Sequence, residues 1–170
     1  MEQHYRDNRL NPIHEGTHGI QGLDLLGRKV VMSGGAGLRL LTATIERATA
    51  KAHAAGGEAA ELAAQLQTAL DRLVAVTVRI HGAVDAHSAA DDRARLANAS
   101  IYLEAAGHVV LAWIWLEQYL ACAGRDEPFH QGKRQATRFF FRYELPRTGP
   151  QLDLLDALDR TTVETDPAWL

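Results

Sequence analysis

Glu15 sits in the segment Ile13-His14-Glu15-Gly16-Thr17-His18-Gly19-Ile20-Gln21, in a setting that suits a general base. Asn11-Pro12 disfavours helix at position 11, because the proline ring clashes with an α conformation in the residue before it. The chain therefore reaches Glu15 extended. Thr17 is an N-cap residue type whose hydroxyl can accept from an amide one turn ahead, so a helix start follows directly behind the carboxylate. A carboxylate at such a corner can project into a cleft and take a proton there. Glutamate has a reference pKa of about 4.3, and a dry apolar site is the usual means of raising it toward a working pH.

The same letters contain the zinc-protease spacing His14-Glu15-Gly16-Thr17-His18. That motif needs both histidines on one face of a regular helix. Pro12 lies just ahead, Gly16 interrupts it, and Gly19 and Gly22 follow, each glycine costing about 1 kcal/mol relative to alanine in a helix interior. Gln21 and Asp24 stand where the metzincin continuation has glycine and its third histidine. No metal site is expected. A plainer alternative is that Glu15 and Thr17 only cap the helix behind them.

The elements that position this corner read as helices. Ile20, Leu23, Leu25, Leu26 and Val30 place an amphipathic helix over about 18–30, and Met32-Ser33-Gly34-Gly35 is a turn by composition. Leu38, Leu40, Leu41 and Ile45 carry a second helix to about Ala54, stopped by Gly56-Gly57. Glu58 opens the third, a long stripe through Leu62, Leu66, Leu70, Leu73, Val76, Ile80 and Val84. The fourth starts at Asp91-Asp92, where acidic residues favour a helix's positive end, and runs through Leu120 as the most apolar element. Pro146 stops a basic and aromatic helix that includes Arg134, Arg138, Phe139 and Tyr143, and a last helix covers Leu152 to Leu158. The histidines between His81 and His87 read as helix surface, Glu104 and His108 as a core pair or solvated edge, and Met1 to Pro12 as a frayed end. The fold expected is all-α: a bundle of about five or six helices, the third and fourth long and antiparallel.

Tyr5-Arg6-Asp7, Ile13, Glu15-Gly16-Thr17, Gly19-Ile20-Gln21 and Leu23-Asp24-Leu25-Leu26-Gly27-Arg28-Lys29 closely resemble the segment of FAD-dependent acyl-CoA dehydrogenases that carries the catalytic glutamate. The resemblance spans residues 4 to 31. It implies that Glu15 is the catalytic base, that Gly16 lies against the acyl thioester, and that Thr17, His18 and Gly19 approach the FAD cofactor. The implied reaction introduces an α,β double bond into an acyl-CoA: the carboxylate removes the α proton and the flavin takes up the β hydride. His14 and His18 depart from the family, which usually has an aromatic residue before the glutamate and often asparagine two residues before the Ile-Gln pair. Asn98-Ala99, Tyr102-Leu103, Gly107, Trp113, Ala136, Arg138-Phe139 and Leu145-Pro146 resemble, more diffusely, the helical extension of a bacterial subset that includes the 3-methylmercaptopropionyl-CoA dehydrogenases.

By this resemblance residues 1–31 end the catalytic C-terminal domain and residues 32–170 form the extension. The chain is expected to be the C-terminal part of such an enzyme, inactive alone, with N-terminal domains or other copies completing it. Electron-transfer flavoprotein is the implied electron acceptor. The alternative function is a non-catalytic bundle that mediates oligomer or subunit assembly.

Composition agrees with one helical unit: 170 residues, 46% of them hydrophobic, are enough for a core. Eighteen basic and 21 acidic residues give a formal charge of −3, which offers no basic field for nucleic acid or anionic lipid. One cysteine, Cys122, excludes an intramolecular disulfide. The uninterrupted apolar run Val109 to Leu116 is short of the roughly 20 residues of a membrane span. A cytoplasmic location, with no membrane partner, is the resulting expectation.

Overall fold

The computed structural model describes residues 2–10, 17–82 and 89–169, with the backbone alone over 89–92. The fold is all-α, and no strand occurs among the described residues. Helix α1, Glu2–Asn8, lies wholly on the surface. Gln3 bonds Asp7 at 2.7 Å and Arg6 pairs with Glu2 one turn back, so this segment, expected to fray, forms a short helix. Helix α2, His18–Asp24, runs directly into a π-helical turn over Leu25–Lys29. The helix expected over 18–30 therefore forms, with its last turn widened by one residue. Ser33, Gly34 and Gly35 take φ values of 52°, 63° and 81°, so the turn that their composition implied forms in the left-handed region.

Helix α3, Met32–Ala55, closes at Gly56, whose φ of 73° a residue with a Cβ adopts only at a cost. Helix α4, Gly57–Gly82, returns beside it. Leu62, Leu66, Leu70, Leu73, Val76 and Ile80, spaced by three and four, are all buried. Val84 and His87, which the sequence placed near the end of this element, lie outside the described residues. Across the hairpin the Thr49 hydroxyl donates to the Gln67 amide oxygen at 3.1 Å.

The single fourth helix expected from Asp91 to Leu120 is two: α5, Ala89–Leu96, and α6, Ala99–Ala121. The break falls at Asn98, whose φ and ψ of −110° and 29° leave the helical region. Its side-chain amide donates to the Asp159 carbonyl at 2.8 Å, tying the break to the C-terminal segment. Helix α6 runs antiparallel to α4, with Tyr119 donating to Glu58 at one end and Tyr102 meeting Thr77 at the other, both at 2.6 Å. Helices α3 and α6 both run antiparallel to α4, so three long helices make the frame where a long antiparallel pair was expected.

Helix α7, Pro128–Phe139, begins on a proline, which suits a first helical position because that amide has no partner within the helix. It continues through a π turn, Phe140–Glu144, and a 3-10 turn, Leu145–Arg147, into α8, Thr148–Asp156. The last expected helix therefore starts four residues earlier than its apolar pattern suggested. Short turns over Thr161–Glu164 and Pro167–Trp169 follow.

Ala99, Tyr102, Ala105, Val109, Ala112 and Leu116 of α6 are buried, and α2, α4, α7 and α8 all pack on this helix. Its full 23 residues, with a mean hydropathy of 1.4 over the most apolar window, are long and apolar enough to cross a membrane, which corrects the shorter reading from Val109 to Leu116. In this fold α6 is the core helix. Trp113 and Trp115 are both half-buried, with Lys133 Nζ 5.3 Å from the Trp115 ring.

Thr77 donates its hydroxyl proton to the Leu73 carbonyl at 2.7 Å, so the Tyr102 hydroxyl is the donor in the bond between the two side chains. Both residues are buried, and burial also pushes the Tyr102 phenol above its usual pKa. Replacing Thr77 with Val strands the Tyr102 hydroxyl and is expected to lower stability by about 1–3 kcal/mol, the cost of an unsatisfied buried donor. The double variant Thr77→Val, Tyr102→Phe should lose less than the sum of the two single changes in chemical denaturation.

Candidate functional site

Glu15 and Gly16, on which the base and thioester roles fall, lie outside the described residues, as does His14. Thr17 immediately precedes α2 in an extended conformation, with φ −52° and ψ 162°. Its hydroxyl makes no capping bond, contrary to expectation, and its carbonyl accepts from the Gln21 amide at 3.1 Å. Thr17 and His18 are exposed, and Gly19 is half-buried beside Ser100. These three residues offer one polar edge on an open surface. They do not by themselves fit FAD, whose ring system needs walls as well as an edge.

What the structure does define is how the helix behind Glu15 is held. Gly22 is buried where α2 crosses the start of α6, and a Cβ there would lie 2.6 Å from the Ala99 carbonyl oxygen and 2.9 Å from the Ser100 nitrogen. Both are backbone atoms, so only glycine permits this approach. One turn on, Leu26 is 0% exposed. Its carbonyl accepts from His81 Nε2 of α4 at 2.9 Å. His81 Nδ1 in turn accepts from Arg95 of α5 at 3.1 Å. The two bonds require the neutral ring protonated on Nε2. Burial, followed by the neighbouring Arg95 charge, holds the His81 pKa below its usual value. On the outer side of α2, Arg28 donates to Asp24 at 2.6 Å and lowers that carboxyl's pKa.

Beyond His81 opens a cavity of about 500 Å³ between α3 and α4, lined by Val30, Leu38, Arg39, Glu46 and Val74 among others. The Arg39 guanidinium donates to the Gly34 carbonyl within it. Sequence periodicity could not reveal this cavity, since it depends on how two helices cross.

Lys133, Arg134 and Arg138 of the basic and aromatic helix bond to groups of the fold itself. Arg138 clasps Glu58 with two bonds of 2.6 and 2.7 Å, and Tyr119 donates to the same carboxylate. Arg138 is the first cause of the lowered Glu58 pKa, and burial is the first cause of the raised Tyr119 pKa. Arg134 donates to the carbonyls of Cys122 and Arg125, and Lys133 to Gln118. His108 donates through Nδ1 to the backbone carbonyl of Glu104 at 2.8 Å, while the Glu104 carboxylate lies 3.9 Å from Arg147. That pair is a packed helix edge.

Comparison with known proteins identifies this all-α bundle as the C-terminal part of an acyl-CoA dehydrogenase. The chain belongs to the acetyl-CoA dehydrogenase C-terminal-like family, whose model matches residues 38–166. It is 25% identical, over 99% of its length, to a broad-specificity linear acyl-CoA dehydrogenase of Mycobacterium tuberculosis. Over 65 residues, 38% of the chain, it is 48% identical to 3-methylmercaptopropionyl-CoA dehydrogenase of Ruegeria pomeroyi. The matched stretches span 29% and 11% of those two relatives.

Two outcomes test this geometry. Gly22→Ala forces a methyl group against backbone and is expected to cost about 1–3 kcal/mol in denaturation, as overpacking does. Gly37→Ala, with nothing within 4 Å of the added carbon, should be neutral or stabilising. The second outcome concerns pH. Because the folded His81 pKa is depressed, its contribution to stability is present above the unfolded value of about 6.5 and is lost as pH falls below it. Denaturation midpoints at about pH 7.5 and 5.5 should therefore differ more for the wild type than for His81→Gln.

Proposed function

We propose that this chain supplies the catalytic base, and the bundle that supports it, to an FAD-dependent acyl-CoA dehydrogenase. Glu15 removes the proton α to the thioester carbonyl of an acyl-CoA, and Gly16 lies against that thioester. Thr17, His18 and Gly19 form the edge nearest the FAD. Residues 1–31 end the catalytic domain and residues 32–170 are its helical extension. One observation supports this reading: a relative named as an acyl-CoA dehydrogenase aligns with 99% of the chain, a stretch that takes in both the Glu15 segment and the bundle behind it. FAD, the acyl-CoA and electron-transfer flavoprotein belong to the completed enzyme, and a linear or thioether-bearing acyl chain is the substrate class that the two relatives' names suggest.

Assembly with other copies is the second reading. The outer side of α6 exposes Leu111 at 50% and Ile114 at 40%, opposite the face that meets the core.

The experiment is titration of the purified 170-residue chain with FAD, followed by anaerobic absorbance after addition of acyl-CoAs. We expect no stoichiometric flavin binding and no bleaching by this chain alone. In the dehydrogenase that contains it, Glu15→Gln is expected to abolish substrate-dependent bleaching while flavin content is unchanged. Bleaching that survives Glu15→Gln would refute the assignment of the base.

A further inference from the structure

We propose that His81 is a positioning residue for the base: by capturing the Leu26 carbonyl it fixes the register of the helix that starts directly behind Glu15. This rests on the reading of Glu15 as the base.

The inference comes from the π turn. In a regular α-helix the carbonyl of residue i accepts from the amide of residue i+4, so the Leu26 carbonyl would be served by Val30. Here the Val30 amide donates to the Leu25 carbonyl at 3.1 Å, one residue further back. The Leu26 carbonyl is thereby released from its α-helical donor, in a residue that is fully buried. A buried carbonyl without a donor is costly, and His81 Nε2 supplies one from α4 at 2.9 Å. Arg95 holds the ring in the required tautomer from α5. Three elements distant in sequence therefore meet on one displaced carbonyl.

The π turn and the imidazole depend on each other. Without the imidazole, Leu26 regains a donor by returning to α geometry, which rotates the preceding helix by the width of one residue, about 100°. That rotation is opposed at Gly22, whose backbone is wedged against Ala99. Helix α2 is left able to shift or open but not to settle. Thr17 and His18 ride on its N-terminal end, and Glu15 is two residues before Thr17. Single-turn π insertions are known to collect at functional sites, where they re-aim the residues near them.

Hydrogen exchange and kinetics together test this. Exchange is followed by mass spectrometry on the 170-residue chain for wild type, His81→Leu and His81→Gln. Glutamine places an N–H near the Nε2 position and keeps the bond, whereas leucine keeps the bulk alone. We expect His81→Leu to speed exchange over residues 18–30 by about tenfold or more, with α6 changed less than about twofold, and His81→Gln to stay near wild type. Should leucine prevent folding, His81→Asn takes its place: it is polar, too short to reach Leu26, and expected to behave as leucine would. In the dehydrogenase containing this chain, the leucine or asparagine variant should lower kcat with KM unchanged, and glutamine should restore it.

Unchanged exchange in His81→Leu, an equal rise across the whole bundle, or a glutamine variant no better than leucine would each overturn the proposal. Glu15→Gln that retains turnover would instead sink the base reading, and exchange would still judge the clamp.

Discussion

Helix α6 is apolar on nearly every side, and a helix of that kind is stable in water only when neighbours cover it. The rest of the fold meets this demand on all but the outer side, where Leu111 and Ile114 stay exposed. Helix α4 lies along it between Glu58–Tyr119 and Thr77–Tyr102, α7 and α8 cover further sides, and α2 crosses its first turn at Gly22. The polar bonds at the ends of the α4–α6 contact set its register. Apolar burial alone, being non-directional, would leave that register free to slip.

The motif helix is anchored through this same core. Gly22 brings α2 to within backbone contact of Ala99, Leu26 is buried under α4, and Gly27 sits against Leu96. A segment carrying a base must be held to a fraction of an ångström to act on a substrate carbon, and loops do this less well than packed elements. Under the proposal that Glu15 is that base, the bundle behind α2 has a physical reason to accompany the motif. Its long helices give α2 a wall that the seven residues of α2 could not provide for themselves.

Much of this was legible in the sequence, because the information was local or periodic. The leucine stripe of α4 named its buried face, Gly56 marked the end of α3, and Met32-Ser33-Gly34-Gly35 marked a turn. The Glu15 motif, with the residues around it, pointed to the family whose model matches residues 38–166. What escaped was tertiary. Nothing in the run from Asp91 to Leu120 says that Asn98 will reach Asp159 and break it. No pattern tells that the Leu26 carbonyl will lose Val30 and find His81, 55 residues away. His81 read as helix surface because its partners come from two other elements. The Thr17 cap failed differently: the residue type was right, but the hydroxyl makes no capping bond.

The proposal that Glu15, just ahead of a clamped helix, is the base implies a definite geometry for the bound substrate. A crystal structure of the dehydrogenase that contains this chain, with a non-reactive acyl-CoA analogue bound, measures it directly. The Glu15 carboxylate is predicted to lie about 3–3.5 Å from the α carbon of the thioester, with the Leu26 carbonyl still bonded to His81. A Glu15 side chain turned to solvent away from the thioester, or a metal ion held by His14 and His18, would contradict the account.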